Sequence, residues 1–213
     1  MKYFKSLPII KQFDPNSNQY INAVNLTARG YMVPSLVDNL AFAYKYDVNE
    51  ADTPENIAQR YYNDVNRYWI VLFGNNITDP QFGWPLTSSQ FQSYLVNKYS
   101  VAANSTDPNI VLSYVTGTVD HYQKTVTTKN SDSLQSQTIT IEIDSATFNS
   151  TPSMITSNFT LPSGETITQT VTTSVVSIYT NENNLNEAKR KINIVKDVYV
   201  PQMETQLQTL MKS

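Results

Sequence analysis

A Thr- and Ser-rich stretch near the middle of the chain has the pattern of β-strands. Residues 125–175 contain 14 Thr and 9 Ser but five charged residues. Within this stretch, residues 138–143 run Thr-Ile-Thr-Ile-Glu-Ile, so the three Ile side chains share one face at the period of two that is typical of a strand. Pro162-Ser-Gly164 separates two further alternating segments and predicts a hairpin turn. Residues 101–180 are therefore predicted to form an antiparallel β region.

The first hundred residues predict a strand followed by two helices. Apolar and polar residues alternate over 42–48, as expected for a strand. Thr53 suits the N-cap of a helix and Pro54 its first position, where a missing N–H costs nothing. A second helix is predicted over 65–73, with Gly74 as its left-handed C-cap.

Further helices are predicted on either side of the β region. Thr87-Ser-Ser-Gln90 is a capping box and opens a helix that carries Tyr94 and Tyr99. The tail, residues 181–213, is predicted to be helical throughout. One helical face there contains Leu185, Ala188 and Ile192, and a last helix begins at Pro201 with Met203, Leu207, Leu210 and Met211 on one side.

The composition argues against catalysis and against bound cofactors. There is no Cys, which excludes disulfides and thiolate metal sites. A Ser–His–Asp triad would need His121, the one imidazole, for which we expect a surface or interface position in a strand. Asp52 and Glu55 begin a helix, where carboxylates favour the N-terminal dipole. The five Gly residues are too scattered for a phosphate-binding loop. We predict no enzymatic activity, no cofactor and no metal.

The chain is poor in charge and rich in tyrosine. Charged residues make up 15% of the sequence, against about 25% in a typical soluble domain, and there are 14 Tyr. Protein interfaces are enriched in aromatic residues and depleted in Lys, Glu and Asp. We therefore expect partner proteins to cover much of the surface, whereas the net charge of −3 argues against a general nucleic-acid binder.

Five residues are candidates for partner contacts. Trp84, in a Gly-Trp-Pro turn, suits a local plug, a partner anchor or a sugar platform. Tyr94 and Tyr99 lie on the helix opened by the capping box. Lys189 and Arg190 begin the densest basic run, which suits a solvated face or a contact with an acidic partner.

The first hundred residues resemble a LysM domain. Tyr46-Asp-Val48, Asp52-Thr53, Ile57-Ala58, Tyr61, Leu72 and Asp79-Pro80 match the positions of its strand, turn, two helices and closing loop. The resemblance implies a core that contains Tyr46, Ile57, Ala58, Tyr61, Trp69 and Leu72. LysM modules bind N-acetylglucosamine polymers such as peptidoglycan, which makes peptidoglycan binding the alternative function. The closing strand of that family is absent from its usual place, where Gly83-Trp84-Pro85-Leu86 stands instead.

A longer run is similar to the LysM-like baseplate wedge proteins of contractile-tailed bacteriophages. It comprises Asp52-Thr53-Pro54-Glu55, Tyr61-Tyr62, Trp69-Ile70, Asn75-Asn76-Ile77, Trp84-Pro85-Leu86, Tyr94 and Lys98-Tyr99, with a second match over 185–192. The resemblance implies a structural subunit that binds other wedge proteins, among them a lysozyme-like sheath-initiating component. It also implies that six wedges are joined around the central hub.

These inferences together give an α+β organisation. We expect an N-terminal arm with a short helix over 1–40 and a LysM-like strand-helix-helix domain with a following helix over 41–100. The β region, 101–180, would be an insertion before the C-terminal helical segment, 181–213. The N-terminal sequence lacks a signal-peptide core and the longest apolar run is far too short to cross a membrane. We therefore expect assembly in the host cytoplasm and a final location in the virion tail baseplate, without nucleic-acid or membrane contacts.

Overall fold

The computed structural model describes residues 7–25, 39, 41–131 and 136–212, with side chains up to residue 209. It has an α+β fold with antiparallel strands. The chain divides into two compact units, one formed by the residues up to Ser88 together with those from Asn186, the other by Ser89–Leu185. Among the described residues, no helix has both the length and the apolar composition to cross a bilayer.

The first unit begins with a β-hairpin. Strand β1 (Ile9–Asp14) pairs antiparallel with β2 (Gln19–Val24). Asn18 adopts a left-handed φ of 54° in the turn between them, a conformation that Asn tolerates well. The short helix predicted within 1–40 is not tested, because residues 1–6, 26–38 and 40 lie outside the described residues.

The core of this unit combines strand β3 with two helices and a strand from the far end of the chain. β3 (Ala43–Asp47) confirms the predicted strand, and α1 (Pro54–Tyr62) confirms the first helix. A 3₁₀ turn (Val65–Arg67) leads into α2 (Tyr68–Gly74). Strand β8 (Lys191–Val195) pairs antiparallel with β3 and completes the order strand, helix, helix, strand.

Strand β8 contradicts the prediction of a continuous C-terminal helical segment. The helix α7 (Ile178–Ala188) ends before the basic run, so Lys191 and Ile192 lie on a strand rather than on a helix. Ile192, Ile194 and Val195 are almost fully buried, whereas Leu185 is 55% exposed. Pairing with β3 satisfies the backbone of this segment, and burial of its apolar residues outweighs the weak helical periodicity.

The predicted C-cap at Gly74 is also wrong. Gly74 is the last residue of α2, and a Cβ atom there would lie 3.3 Å from Val195 Cγ2. The left-handed residue is Asn76, with φ of 53°. The amide of Ile77 donates to the carbonyl of Leu72 and that of Asn76 to Phe73, which is a Schellman arrangement. The close approach of β8 thus favours glycine at 74, because a Cβ atom would press on the Val195 side chain.

Short helices follow, and the last helix closes the core. Asp79 caps α3 (Pro80–Gly83), and α8 (Val200–Lys212) confirms the helix predicted from Pro201. The predicted positions of the Leu210 and Met211 side chains lie outside the residues whose side chains the structure describes. The core consists of buried residues of β3, α1, α2, β8 and α8 and of residues beside them: Phe42, Ala43, Val48, Ile57, Ala58, Tyr62, Trp69, Ile70, Val71, Ile192, Ile194, Val195, Val200, Met203 and Leu207, with Leu7.

The second unit contains the predicted antiparallel sheet. Its strands are β4 (Val119–Asn130), β5 (Ser136–Ile143), β6 (Met154–Thr160) and β7 (Thr166–Ser177), in the order β5-β4-β7-β6. The turn at Gly164, with φ of 91°, confirms the hairpin between β6 and β7.

Helices accompany this sheet. α4 (Ser88–Tyr99) confirms the helix predicted from the capping box. Two helices within 101–180 were not predicted from the sequence: α5 (Pro108–Gly117) and α6 (Ser145–Ser150). The first had a recognisable start, since Asp107 caps it and Pro108 occupies its first turn.

Candidate docking surfaces

The N-terminal hairpin exposes apolar side chains on both faces. Ile9, Phe13, Tyr20 and Val24 share one face, because Ile9 pairs with Val24 and Phe13 with Tyr20. Tyr20 is 72% and Ile9 71% exposed. The rings of Phe13 and Tyr20 meet edge to face at 5.5 Å. A two-stranded hairpin is marginally stable by itself in water, so this surface has the character of a segment that a partner covers.

The four-stranded sheet has one apolar face and one hydroxyl-bearing face. The register places on one face, called here the apolar face, the residues Ile139, Ile141 and Ile143 of β5, Tyr122, Lys124 and Val126 of β4, Ile167, Val171 and Val175 of β7, and Ile155 and Phe159 of β6. The opposite face, called here the hydroxyl face, contains Thr125, Thr127, Thr138, Thr140, Thr156, Thr168, Thr170 and Thr172.

The hydroxyl groups pair with one another, whereas much of the apolar face is open. Thr125 and Thr140 are joined by a 3.0 Å hydrogen bond between their Oγ1 atoms. On the apolar face, Phe159 is 56% and Ile139 53% exposed. Phe148 of α6 stacks on Tyr122 at 4.5 Å and covers one end. The exposed apolar patch therefore lies beyond that end.

A buried carboxylate, Asp52, ties β3 to α1. Its oxygens accept hydrogen bonds from Tyr46 (2.6 Å), the Asn49 amide (3.0 Å) and Arg60 (3.0 Å). Burial pushes the pKa of Asp52 upward, but these hydrogen bonds outweigh it and hold the pKa below its ordinary value. The sequence suggested that Asp52 interacts with the helix dipole. The structure shows that it also binds Tyr46, Asn49 and Arg60 through hydrogen bonds.

Trp84 packs beside Asp52. Its indole N–H donates to the carbonyl of Asp52 at 3.2 Å, and its half-buried ring packs against the core. Of the three roles considered for this residue, the geometry corresponds to the local plug.

Tyr94 and Tyr99 belong to a second buried cluster, centred on Glu182. The Glu182 carboxylate accepts hydrogen bonds from Lys98 Nζ (2.6 Å), Tyr99 OH (2.6 Å) and Tyr94 OH (3.1 Å). Burial would raise the pKa of Glu182, but the bonds from Lys98 and Tyr99 lower it further than burial raises it. Burial, followed by the bond to Glu182, raises the pKa of Tyr99 to about 12. Both tyrosine hydroxyls are thus engaged within the chain.

The basic pair likewise has partners within the chain. Lys189 Nζ donates to the carbonyl of Phe82 at 2.9 Å. Arg190 Nε donates to Glu187 at 2.8 Å and its NH1 to the carbonyl of Val48 at 3.3 Å. The proposed roles of all five candidate residues in partner contacts stay predictions, and their observed contacts hold the fold together.

The residues of the expected core are packed inward. Ile57 and Ala58 are fully buried, Trp69 is 4% and Leu72 8% exposed. Tyr46 and Tyr61 are partly buried against this core, with their rings 5.9 Å apart. The packing agrees with the expected core, while its LysM character stays a prediction.

His121 and the acidic side chains are the residues that catalysis or metal binding would use. His121 lies on β4 as predicted, with Nδ1 2.8 Å from Asp120 Oδ2. The other Oδ2 contact of Asp120 is the Asn181 amide at 2.9 Å. Across the described ranges, no group of three or more His, Asp or Glu side chains is arranged to hold a metal ion.

Exposed apolar strands such as these are typical of surfaces that contact other proteins. Residues 37–130 match the family described as Base plate wedge protein 53. Over this segment, which extends from before β3 to the end of β4, the chain is similar to a baseplate wedge family of bacteriophages, a family of structural tail proteins. No curated protein matches the chain. The match confirms the resemblance to a baseplate wedge family that the sequence indicated, and strands β5 to β8 lie outside the matched segment.

Proposed function

We propose that this chain is a structural subunit of a phage tail baseplate wedge that binds other wedge proteins and joins adjacent wedges around the hub. The family match carries the first part of the proposal. The exposed apolar hairpin supports the second, because a joint between neighbours needs a surface that becomes buried on assembly.

The hairpin is the surface most in need of a partner. Its exposed face offers Ile9, Phe13, Tyr20 and Val24. Burying such a side chain fully contributes about 2 kcal/mol. A partner that covers all four would therefore gain several kcal/mol and stabilise the hairpin at the same time.

The identity of the partners follows the family resemblance. The proposal includes a lysozyme-like sheath-initiating wedge component among them and six copies of this chain in each baseplate. It also places the protein in the virion tail after assembly in the host cytoplasm.

The alternative, a peptidoglycan-binding LysM module, requires an open groove between residues 49–54 and 79–84. Trp84 bridges these two segments through its 3.2 Å hydrogen bond to Asp52, and its ring packs on the core. A sugar platform would need this ring to be free. Isothermal titration with chitin oligomers is expected to give no heat, and heat at micromolar sugar would favour the alternative.

The test introduces two charges on the face of the hairpin that carries Phe13 and Tyr20. A variant with Ile9→Asp and Tyr20→Asp is co-expressed with the other wedge proteins of the same phage and analysed by size-exclusion chromatography. The variant is expected to co-elute with those proteins at least about tenfold less than the unmodified chain, because an unpaired buried carboxylate costs several kcal/mol.

The matched control is Gln12→Asp with Gln19→Asp, which adds the same charge to the other face of the hairpin. It is expected to assemble normally, and both variants to keep the circular-dichroism melting curve of the unmodified chain. Normal co-elution of the Ile9/Tyr20 variant would refute the role of the hairpin. Absence of this chain from purified particles would refute the baseplate function itself.

A further inference from the structure

Within its four strands, the apolar face of the sheet carries one charged residue, Lys124, and this residue has no partner among the described residues. Lys124 stands opposite Ile141 on β5 and Thr173 on β7. It is partly buried, and it forms no ion pair or hydrogen bond with the described residues. The residues of β5, β6 and β7 that share this face include no Asp or Glu.

The whole face is large enough to contain a functional apolar patch. Strand spacing of about 4.8 Å and a rise of about 3.3 Å per residue give four strands an area of about 400 Å² over the length from Tyr122 to Asn130, and this area also includes polar residues such as Gln137 and Gln169. Apolar patches of about 300–600 Å² on a monomer are often functional. Met154 apart, the large exposed apolar residues of strands β5 and β6 belong to this face: Ile139, Ile141, Ile155 and Phe159.

We propose that this apolar face docks a different wedge protein, through an apolar element that places an Asp or Glu carboxylate against Lys124. Covering the face removes the ammonium group from water, which is costly unless a carboxylate pairs with it. The face supplies no carboxylate of its own, so the partner must bring one.

The need for a carboxylate opposite Lys124 also argues against a second copy of this chain as the partner that covers this face. In a symmetric interface both copies contribute the same face. Two such faces would bury two Lys124 ammonium groups against strands without a carboxylate, and the Glu165 carboxylate beside β7 already accepts a hydrogen bond from Asn130 Nδ2 at 3.2 Å. The hydroxyl face is a poorer candidate because four of its Thr side chains already bond in pairs, Thr125 to Thr140 and Thr127 to Thr138.

Zero-length carbodiimide cross-linking of purified particles tests the proposal, since it joins an amine directly to a carboxylate in contact with it. The expected product links Lys124 to an Asp or Glu of another baseplate protein and is identified by mass spectrometry. Lys124 is also expected to be acetylated at least about tenfold more slowly in the particle than in the isolated full-length chain. Lys129, on the hydroxyl face of the same strand, serves as the control amine.

Three results would overturn the proposal: acetylation of Lys124 at the same rate in particle and isolated chain, a cross-link only to a second copy of this chain, or protection without any carboxylate link. The inference rests on the proposed function for the assembly in which it is tested. A chain that is missing from the particle contradicts that function, whereas a chain that is present with a reactive Lys124 contradicts only the docking face.

In a second measurement, Lys124→Glu is expected to reduce the yield of assembled baseplates at least about tenfold, because it sets two carboxylates against each other. Lys129→Glu introduces the same charge change on the opposite face and should leave the yield unchanged. Equal yields from the two variants would overturn the proposal.

Discussion

Replacing Ile194 by alanine tests whether the C-terminal strand completes the core of the first unit. Ile194 is fully buried on β8, opposite Tyr44 of β3. The substitution removes three carbon atoms, worth about 0.8 kcal/mol each in transfer free energy. With the cavity that remains, the free energy of unfolding should fall by about 3 kcal/mol.

Tryptophan fluorescence during urea unfolding reports on this unit alone. The chain has two Trp, and both Trp69 and Trp84 lie in the unit that contains β8. With a urea dependence of about 2 kcal/mol per molar, the midpoint of the transition should move down by about 1.5 M.

Ile139→Ala is the matched control, because Ile139 is 53% exposed and lies in the other unit. It should leave the tryptophan transition within about 0.3 M urea of the unmodified chain. A transition that is equally unmoved by Ile194→Ala would refute the assignment of β8 to the core. A loss of cooperativity with a smaller slope would instead show that the strand also sets the compactness of the unit.

Three further changes test the buried clusters and a close approach. Asp52→Asn should lower the free energy of unfolding by about 2 kcal/mol in the same fluorescence assay, because it replaces charge-assisted hydrogen bonds by neutral ones; an unchanged midpoint would contradict this. The pKa of Asp52 is lowered in the folded state, so this contribution is present above the unfolded pKa and should disappear as the pH falls through the folded value. The pKa of Tyr99 is raised to about 12, so stability should fall as the pH rises from about 10 toward 12. Circular-dichroism melts of Tyr99→Phe should depend less on pH in that interval, and an identical dependence would exclude Tyr99 as a contributor. Gly83→Ala would place a Cβ atom 2.8 Å from Ile77 Cγ2 and should destabilise the chain by about 1 kcal/mol in urea unfolding, whereas a stabilised variant would show that the Ile77 side chain moves away freely.

The sequence was sufficient to predict those elements that depend on residues close to one another along the chain. Thr53 caps α1 through the amide of Asn56, as predicted, because an N-cap depends on residues within one turn. The alternation over 138–143 is the strand β5, because neighbouring side chains on a strand point to opposite faces. The family resemblance was also recognisable, since all of its motifs except the match over 185–192 lie within the continuous segment 37–130.

Contacts between distant parts of the chain were not accessible from the same signals. β8 is five residues long and pairs with β3 from more than 140 positions away, so its short apolar pattern was equally compatible with a helix. The role of Gly74 depended on that pairing, since Val195 is what a side chain there would meet. Glu182 binds Lys98 across 84 positions, and no spacing rule indicates such a partner.

The sequence by itself determined the beginnings of those helices and strands that have local signals, which residues are apolar and which family residues 37–130 resemble. The tertiary structure decided which strand closes the core and which carboxylates are buried. It also decided which face of the Thr-rich sheet is apolar across all four strands. The reason is that capping and alternation depend on neighbours along the chain, whereas burial and strand pairing depend on neighbours in space.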